Sequence, residues 1–193
     1  MSTAAENHRR VDWFIQSTFA ANPDTPHCCR AGCHTCCSEA VYASQAEINH
    51  IVESLSTQQV EQLKPRLVDW LARTEELRKE PYPKVDKYLG SNIPCPLLQG
   101  GLCSVYERRP FGCRVWFAFG DPQNCRLPMR HHQGLAQFSN ALFEAMGLPA
   151  IVNGRLILDH LGVLLAERLL GLDIPSASRD DVDASKMKMP PAV

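Results

Sequence analysis

The sequence carries no excess of either charge, no long uninterrupted apolar run and no familiar nucleotide or hydrolase motif. Lys and Arg total 20 against 21 Asp and Glu, a formal net charge of -1. The broad basic field that draws a protein to phosphate backbones is therefore missing, and nucleic acid is not an expected partner. The opening stretch is broken by Arg9, Arg10 and Asp12, so it lacks the apolar centre of an export signal, and a cytoplasmic location is expected. The most apolar later segment, LILDHLGVLLAERLLGL from Leu156, contains Asp159, His160, Glu167 and Arg168. A bilayer span would bury all four, so this segment is expected to be a core helix and no membrane partner is expected. GxSxG, HExxH, GxxxxGK[ST] and GxGxxG are absent, which disfavours a conventional hydrolase or nucleotide-dependent enzyme.

Cysteine, by contrast, is abundant: nine in 193 residues. An odd number in a chain without an export signal argues against a disulfide framework and for metal binding or thiol chemistry. Hydrophobic residues at 45% and charged residues at 21% supply an ordinary globular core.

Helical periodicity dominates the rest, and the expected fold class is mainly α. Val11, Phe14, Ile15 and Phe19 mark one face of a helix over residues 4 to 20. Ser44 with Glu47, and Ser56 with Gln59, have the spacing of capping boxes. Each opens an apolar face, Ile48, Ile51, Val52 and Leu55 in the first and Val60, Leu63, Leu67, Trp70 and Leu71 in the second. A helical hairpin over residues 44 to 80 follows, with Pro65 expected to kink or interrupt its second arm. Prolines and glycines crowd residues 81 to 128, which reads as a loop-dominated region. Two more helices are expected, near residues 132 to 147 and 156 to 171, the latter with Leu158, Leu161, Leu165 and Leu169 inward. Residues 1 to 173 form one domain in this reading, and the polar tail from 174 to 193 is expected to be disordered.

The cysteines avoid the helical faces and fall in two loop-like clusters. CCRAGCHTCC holds Cys29, Cys33, Cys36 and Cys37, with Cys28 adjoining, and the later region holds Cys95, Cys103, Cys113 and Cys125. Thiolates two or three residues apart on a turning backbone can converge on one ion, and Gly32 permits the turn. Adjacent side chains such as Cys36 and Cys37 usually diverge, so a wide cluster or two centres would use both. Eight thiolates fit two four-thiolate sites, or one iron–sulfur cluster with four cysteines to spare. Soft donors point to iron–sulfur, zinc or Cu(I) rather than magnesium or calcium.

The run CRAGCHTCC, then Cys95-Pro96-Leu97, then GLCSVYERRPFGCR and Cys125, resembles the zinc- or iron-chelating cysteine-cluster proteins, the CxxCxxCC or YkgJ-like family. The resemblance implies Cys29, Cys33, Cys36, Cys37, Cys95, Cys103, Cys113 and Cys125 as metal ligands, and leaves Cys28 as a spare thiol. The expected function is metal binding through an iron–sulfur centre used for electron transfer, redox sensing or metal handling. A structural zinc module for protein interaction is the alternative. A larger relative, the flagellin lysine methylase, carries a similar cysteine region, so the resemblance also admits a role in protein modification, with an unidentified protein partner.

Around the cysteines, Arg109 and Arg114 are candidates to balance thiolate charge, whereas Arg108 is expected to be solvated. Tyr106 is expected to pack against the cysteine loops. His27 and His34 border the first cluster as exposed loop residues rather than ligands, and His131 with His132 reads as a helix start or a small basic surface. His8, His50 and His160 fall in expected helices away from the cysteines. Trp13, Trp70 and Trp116 read as core or loop-packing residues.

Overall fold

The computed structural model describes residues 4–24, 29–30, 32–38, 41–79, 91–115, 155–177 and 180–183. Helix α1 (Ala4–Ala21) buries Val11 and Ile15, two positions of the apolar face that the spacing indicates. A short strand β1 (Tyr42–Ser44) leads into α2 (Gln45–Val52), with Ser44 as its N-cap. Both capping boxes form as the sequence dictates, Ser44 with Glu47 on α2 and Ser56 with Gln59 on α3 (Thr57–Arg73). A short helix α4 (Glu75–Arg78) follows.

Helix α3 runs through Pro65 without interruption. Proline leaves the carbonyl four residues earlier without its usual donor, and here that residue is Glu61. Glu61 and Pro65 both lie on the exposed face, where water can satisfy the carbonyl. The expected break therefore does not occur.

Further along, β2 (Leu98–Gln99) and β3 (Leu102–Cys103) form a small hairpin, and α5 (Phe111–Val115) follows it. Strand β4 (Arg155–His160) leads directly into α6 (Leu161–Leu170). The single helix expected over 156 to 171 thus begins as a strand and turns helical only from Leu161. Leucine-rich residues favour helix locally, but β4 is held as the middle strand of a sheet ordered β1-β4-β5, and tertiary pairing overrides the local preference. Both pairings are antiparallel, with Ala43 opposite Asp159 and Leu156 opposite Val182.

Strand β5 (Asp180–Asp183) belongs to the tail expected to be disordered. Before it, Ile174 is buried, Ala177 N–H donates to the Arg78 carbonyl at 3.1 Å, and Ser176 Oγ donates to Asp159 Oδ1 at 2.8 Å. The composition of the segment conceals these attachments because they depend on partners far away in sequence. The helix expected near 132 to 147 lies outside the described residues.

The main core joins α2, α3 and α6 through Ile48, Ile51, Leu63, Leu67, Trp70, Leu164 and Leu165, with Ile93, Leu97 and Val105 entering from the cysteine-rich region. Six successive residues of α6, Leu161 to Ala166, are buried, so it is the central helix. No helix among the described residues is long and apolar enough to cross a membrane. A second, smaller cluster unites Val11 and Ile15 of α1 with Val115 of α5. Trp13, read as a packing residue, is instead 69% exposed because it projects from the opposite side of α1.

His160 ends β4 inside this core, with its Nε2 3.2 Å from Tyr42 Oη. Burial pushes its imidazole down to about 4, against the opposing pull of Asp159. The unfolded chain then binds a proton between pH 6.5 and 4 that the folded chain refuses, so stability is fully present above pH 6.5 and declines as pH falls through this window. The expected loss is about 3 kcal/mol by pH 4. Urea midpoints measured between pH 7 and 4 should show this slope, and His160→Gln should flatten it. An equally steep slope in the variant would assign the effect to other groups.

Candidate metal centre

The first cysteine motif is two consecutive turns. Gly32 at φ 85° lets Cys33 N–H return to the Arg30 carbonyl at 2.9 Å, as the glycine in the sequence requires. A 3-10 turn over Thr35–Ser38 then carries Cys36 and Cys37, with Cys37 N–H donating to the His34 carbonyl at 2.9 Å. The two motifs meet through the backbone: Cys95 N–H donates to the Cys37 carbonyl at 2.6 Å.

After Cys95 the chain reverses through Gly100 and Gly101, both at positive φ (56° and 79°), which is the geometry of a tight two-residue hairpin. The hairpin sets Cys103 opposite Leu98, and Ser104 locks its base by donating N–H and Oγ to the Leu97 carbonyl, each at 2.9 Å. A 3-10 turn (Tyr106–Arg108) and Pro110 then deliver α5, which carries Cys113.

Four thiols, those of Cys36, Cys95, Cys103 and Cys113, lie near enough to feel one another's charge. Burial pushes the Cys95 thiol up to about 12, and the nearby Cys103 and Cys36 add to the rise. Burial likewise holds Cys113 well above the usual thiol value of 9.0, reinforced by Cys95, Cys36 and Cys103. Cys103 is raised by burial and by Cys36, while Arg109 acts in the opposite direction. These cysteines keep some exposed surface, yet the protein around their sulfurs desolvates them. Neutral thiols are the comfortable state of such a site alone. A bound cation reverses this logic, because a coordinated thiol gives up its proton to the solvent.

The donor chemistry fits a soft metal: four sulfurs from three chain segments in a partly dehydrated place. Among the described residues, however, no three His, Cys, Asp or Glu side chains stand at the spacing of a finished ion site. The thiols share a region without closing on a single point.

A buried polar network braces the centre from the side of α1 and α2. Glu47 Oε1 accepts Phe111 N–H at 2.6 Å, so the capping residue of α2 also holds the first residue of α5. The same oxygen lies 3.4 Å from His8 Nε2, while Oε2 accepts Ser44 N–H at 2.8 Å and Ser44 Oγ at 2.9 Å. Arg114, beside Cys113, is buried and grips both Asp12 oxygens from Nη1 at 2.7 and 2.6 Å. Its Nε donates to the Arg109 carbonyl at 2.9 Å, and its Nη2 donates to the Glu107 carbonyl. Arg108, expected to be solvated, instead turns to His50 Nδ1 and the His50 carbonyl at 3.3 and 3.4 Å. From the other flank, Arg66 of α3 reaches the Leu98 carbonyl at 3.4 Å, with its charge close enough to act on Cys95.

Of the eight cysteines in the expected ligand set, Cys36, Cys95, Cys103 and Cys113 lie near enough to act on one another's charge. Cys29 packs against the smaller apolar cluster with Phe111 and Phe14. Cys33 and Cys37 enter through the backbone turns just described. Cys125, Cys28, His27, His131, His132 and Trp116 lie outside the described residues. His34 is exposed and its ring borders Gly101, while Tyr106 is exposed and carries the Arg109 guanidinium on its ring. His8 and His50 are not remote from the cysteines, because both join the arginines of the second motif. Sequence reasoning missed the bracing role of Glu47, His8 and Asp12, for which spacing offers no signal. It also missed the hairpin, although adjacent glycines between two apolar pairs were available to mark it.

Comparison with known proteins agrees with this chemistry. No curated protein and no solved structure matches the chain at the stringency applied. Residues 27–126, just over half of the chain, match the CxxCxxCC family, described as "Putative zinc- or iron-chelating domain". With its cysteine loops joined through Cys37 and Cys95, this chain belongs to that zinc- or iron-chelating family.

Proposed function

We propose that this protein holds an iron–sulfur centre, with Cys36, Cys95, Cys103 and Cys113 as its principal ligands. Cys29, Cys33, Cys37 and Cys125 complete the eight-thiol pattern as candidate ligands of the same region or of a second site. The observation that carries this reading is the proximity of three desolvated thiols, Cys95, Cys103 and Cys113, to one another and to Cys36 of the first motif. Eight thiols exceed what one tetrahedral zinc ion takes, which favours a cluster or a second site over a single zinc ion.

When bound, such a centre supplies a reversible one-electron couple suited to electron transfer or redox sensing. The protein's part is to shield the sulfurs, brace Cys113 through α5 and bring positive charge near them. Zinc remains the second reading because the family description names either metal. In that case the metal folds the loops as an interaction module.

Anaerobic purification separates the two. Brown protein with visible absorbance and acid-labile sulfide is expected. Colourless protein with stoichiometric zinc and no sulfide would overturn the iron–sulfur assignment and establish the zinc reading.

A further inference from the structure

Three arginines occupy the string YERRPFGCR, and the structure gives each a different task. Arg114 is consumed by Asp12 and two carbonyls, and Arg108 by His50. Arg109 lies near the thiols, its guanidinium within electrostatic reach of both Cys103 and Cys113. Its backbone is held by the Arg114 donation to its carbonyl, and its guanidinium carbon lies 3.8 Å from the centre of the Tyr106 ring. The side chain is thus positioned from both ends. Yet its Nε–H is buried without a hydrogen-bond partner. A buried donor left unmade is costly, and in a native protein it asks for an acceptor.

We propose that Arg109 donates this N–H to a sulfur of the metal-loaded centre, and so fixes how firmly the centre is held and the potential at which it is reduced. The proposal rests on the iron–sulfur reading and adds to it a tuning residue outside the ligand set. A loaded four-thiolate centre carries net negative charge, and reduction adds more. A guanidinium with a fixed donor stabilises the loaded state over the empty one, and the reduced state over the oxidised one. Arg66 supplies charge near Cys95 but also reaches the Leu98 carbonyl, so it lacks the same vacant donor requirement.

The test uses the full chain loaded anaerobically with ferrous iron and sulfide, comparing wild type with Arg109→Met, Arg109→Lys and, as a control, Arg73→Met on the exposed face of α3. Chelator competition followed by visible absorbance should show about 10- to 100-fold weaker retention in Arg109→Met. Its midpoint potential should also move negative. Arg109→Lys, which keeps the charge but not the fixed N–H, should fall between, and Arg73→Met should stay near wild type. Retention and potential unchanged in Arg109→Met would overturn the proposal while leaving the metal centre intact.

If Arg109→Met fails to fold, Arg109→Lys and Tyr106→Leu decide the matter: wild-type retention and potential in both would overturn it. A wild-type chain that takes up no metal would overturn this proposal together with the reading beneath it. Should the metal prove to be zinc, the affinity comparison applies unchanged, and equal zinc affinities overturn the role.

Discussion

Stripping the metal should loosen residues 33–38 and 95–115 first and leave most of the helical signal in place. Metal ligation at neutral pH contributes about 10–16 kcal/mol in small metal-folded modules, against about 5–15 kcal/mol for the net stability of a whole domain. The perturbation is therefore as large as the fold's own margin. Its location follows from which contacts are independent of the thiols. Helices α2, α3 and α6 bury Ile48, Ile51, Leu63, Leu67, Leu164 and Leu165 against one another. The turn bearing Cys36 and Cys37 has no buried residue of its own. The second cysteine segment is intermediate, because Leu97 and Val105 anchor it to the main core while the hairpin tip at Gly100 does not. Hydrogen exchange after verified metal loss should show protection lost in the turns and hairpin and retained in α3 and α6. Cys36→Ser combined with Cys113→Ser should behave similarly. Unchanged protection in the cysteine loops would deny the metal a structural role, and collapse of α3 and α6 together with the loops would deny the helices an independent core.

That division between a self-sufficient helical core and dependent loops also separates what the sequence discloses from what it conceals. Helices α1, α2 and α3 were legible because their signals are local: an apolar face at helical spacing, and capping boxes whose two bonds span three residues. Strand β4 was not legible, since LILDH has a composition that either state accepts and its partners lie over 100 residues earlier and about 25 later. The attachments at residues 176 and 177 were hidden for the same reason, because Ala177 and Ser176 find Arg78 and Asp159 only in the folded chain.

At the site, residue type and clustering marked the cysteines, but their partition was beyond spacing. Cys36 is a neighbour of Cys37 in sequence and of Cys95, Cys103 and Cys113 in space. Which of two adjacent thiols faces the common region depends on the 3-10 turn beneath them. The three arginines show the same limit: their order in the string is plain, whereas their separate tasks depend on Asp12 and His50, residues of distant helices.

Glu47→Ala should cost about 3–5 kcal/mol, because one carboxylate satisfies donors from three elements and truncation strands buried donors in a partly dry place. Burial alone would push the Glu47 carboxyl up. Hydrogen bonds from His8, Phe111 N–H, and Ser44 N–H and Oγ outweigh it and hold the group below its ordinary value of 4.5. A depressed carboxyl contributes stability that is present above about pH 4.5 and lost as pH falls through the folded value. Glu47→Gln should be an intermediate case, since an amide keeps the shape but turns one acceptor into a donor facing donors. The consequence reaches the thiols through α5, whose first N–H Glu47 holds two residues before Cys113. Urea titration should give a lower midpoint with an unchanged slope in Glu47→Ala, and the metal-free variant should alkylate faster at Cys113 than metal-free wild type. A cost below about 1 kcal/mol, typical of a single ordinary hydrogen bond, would mean that water replaces the carboxylate. Lost stability with unaltered Cys113 reactivity would show that α5 keeps its place without Glu47.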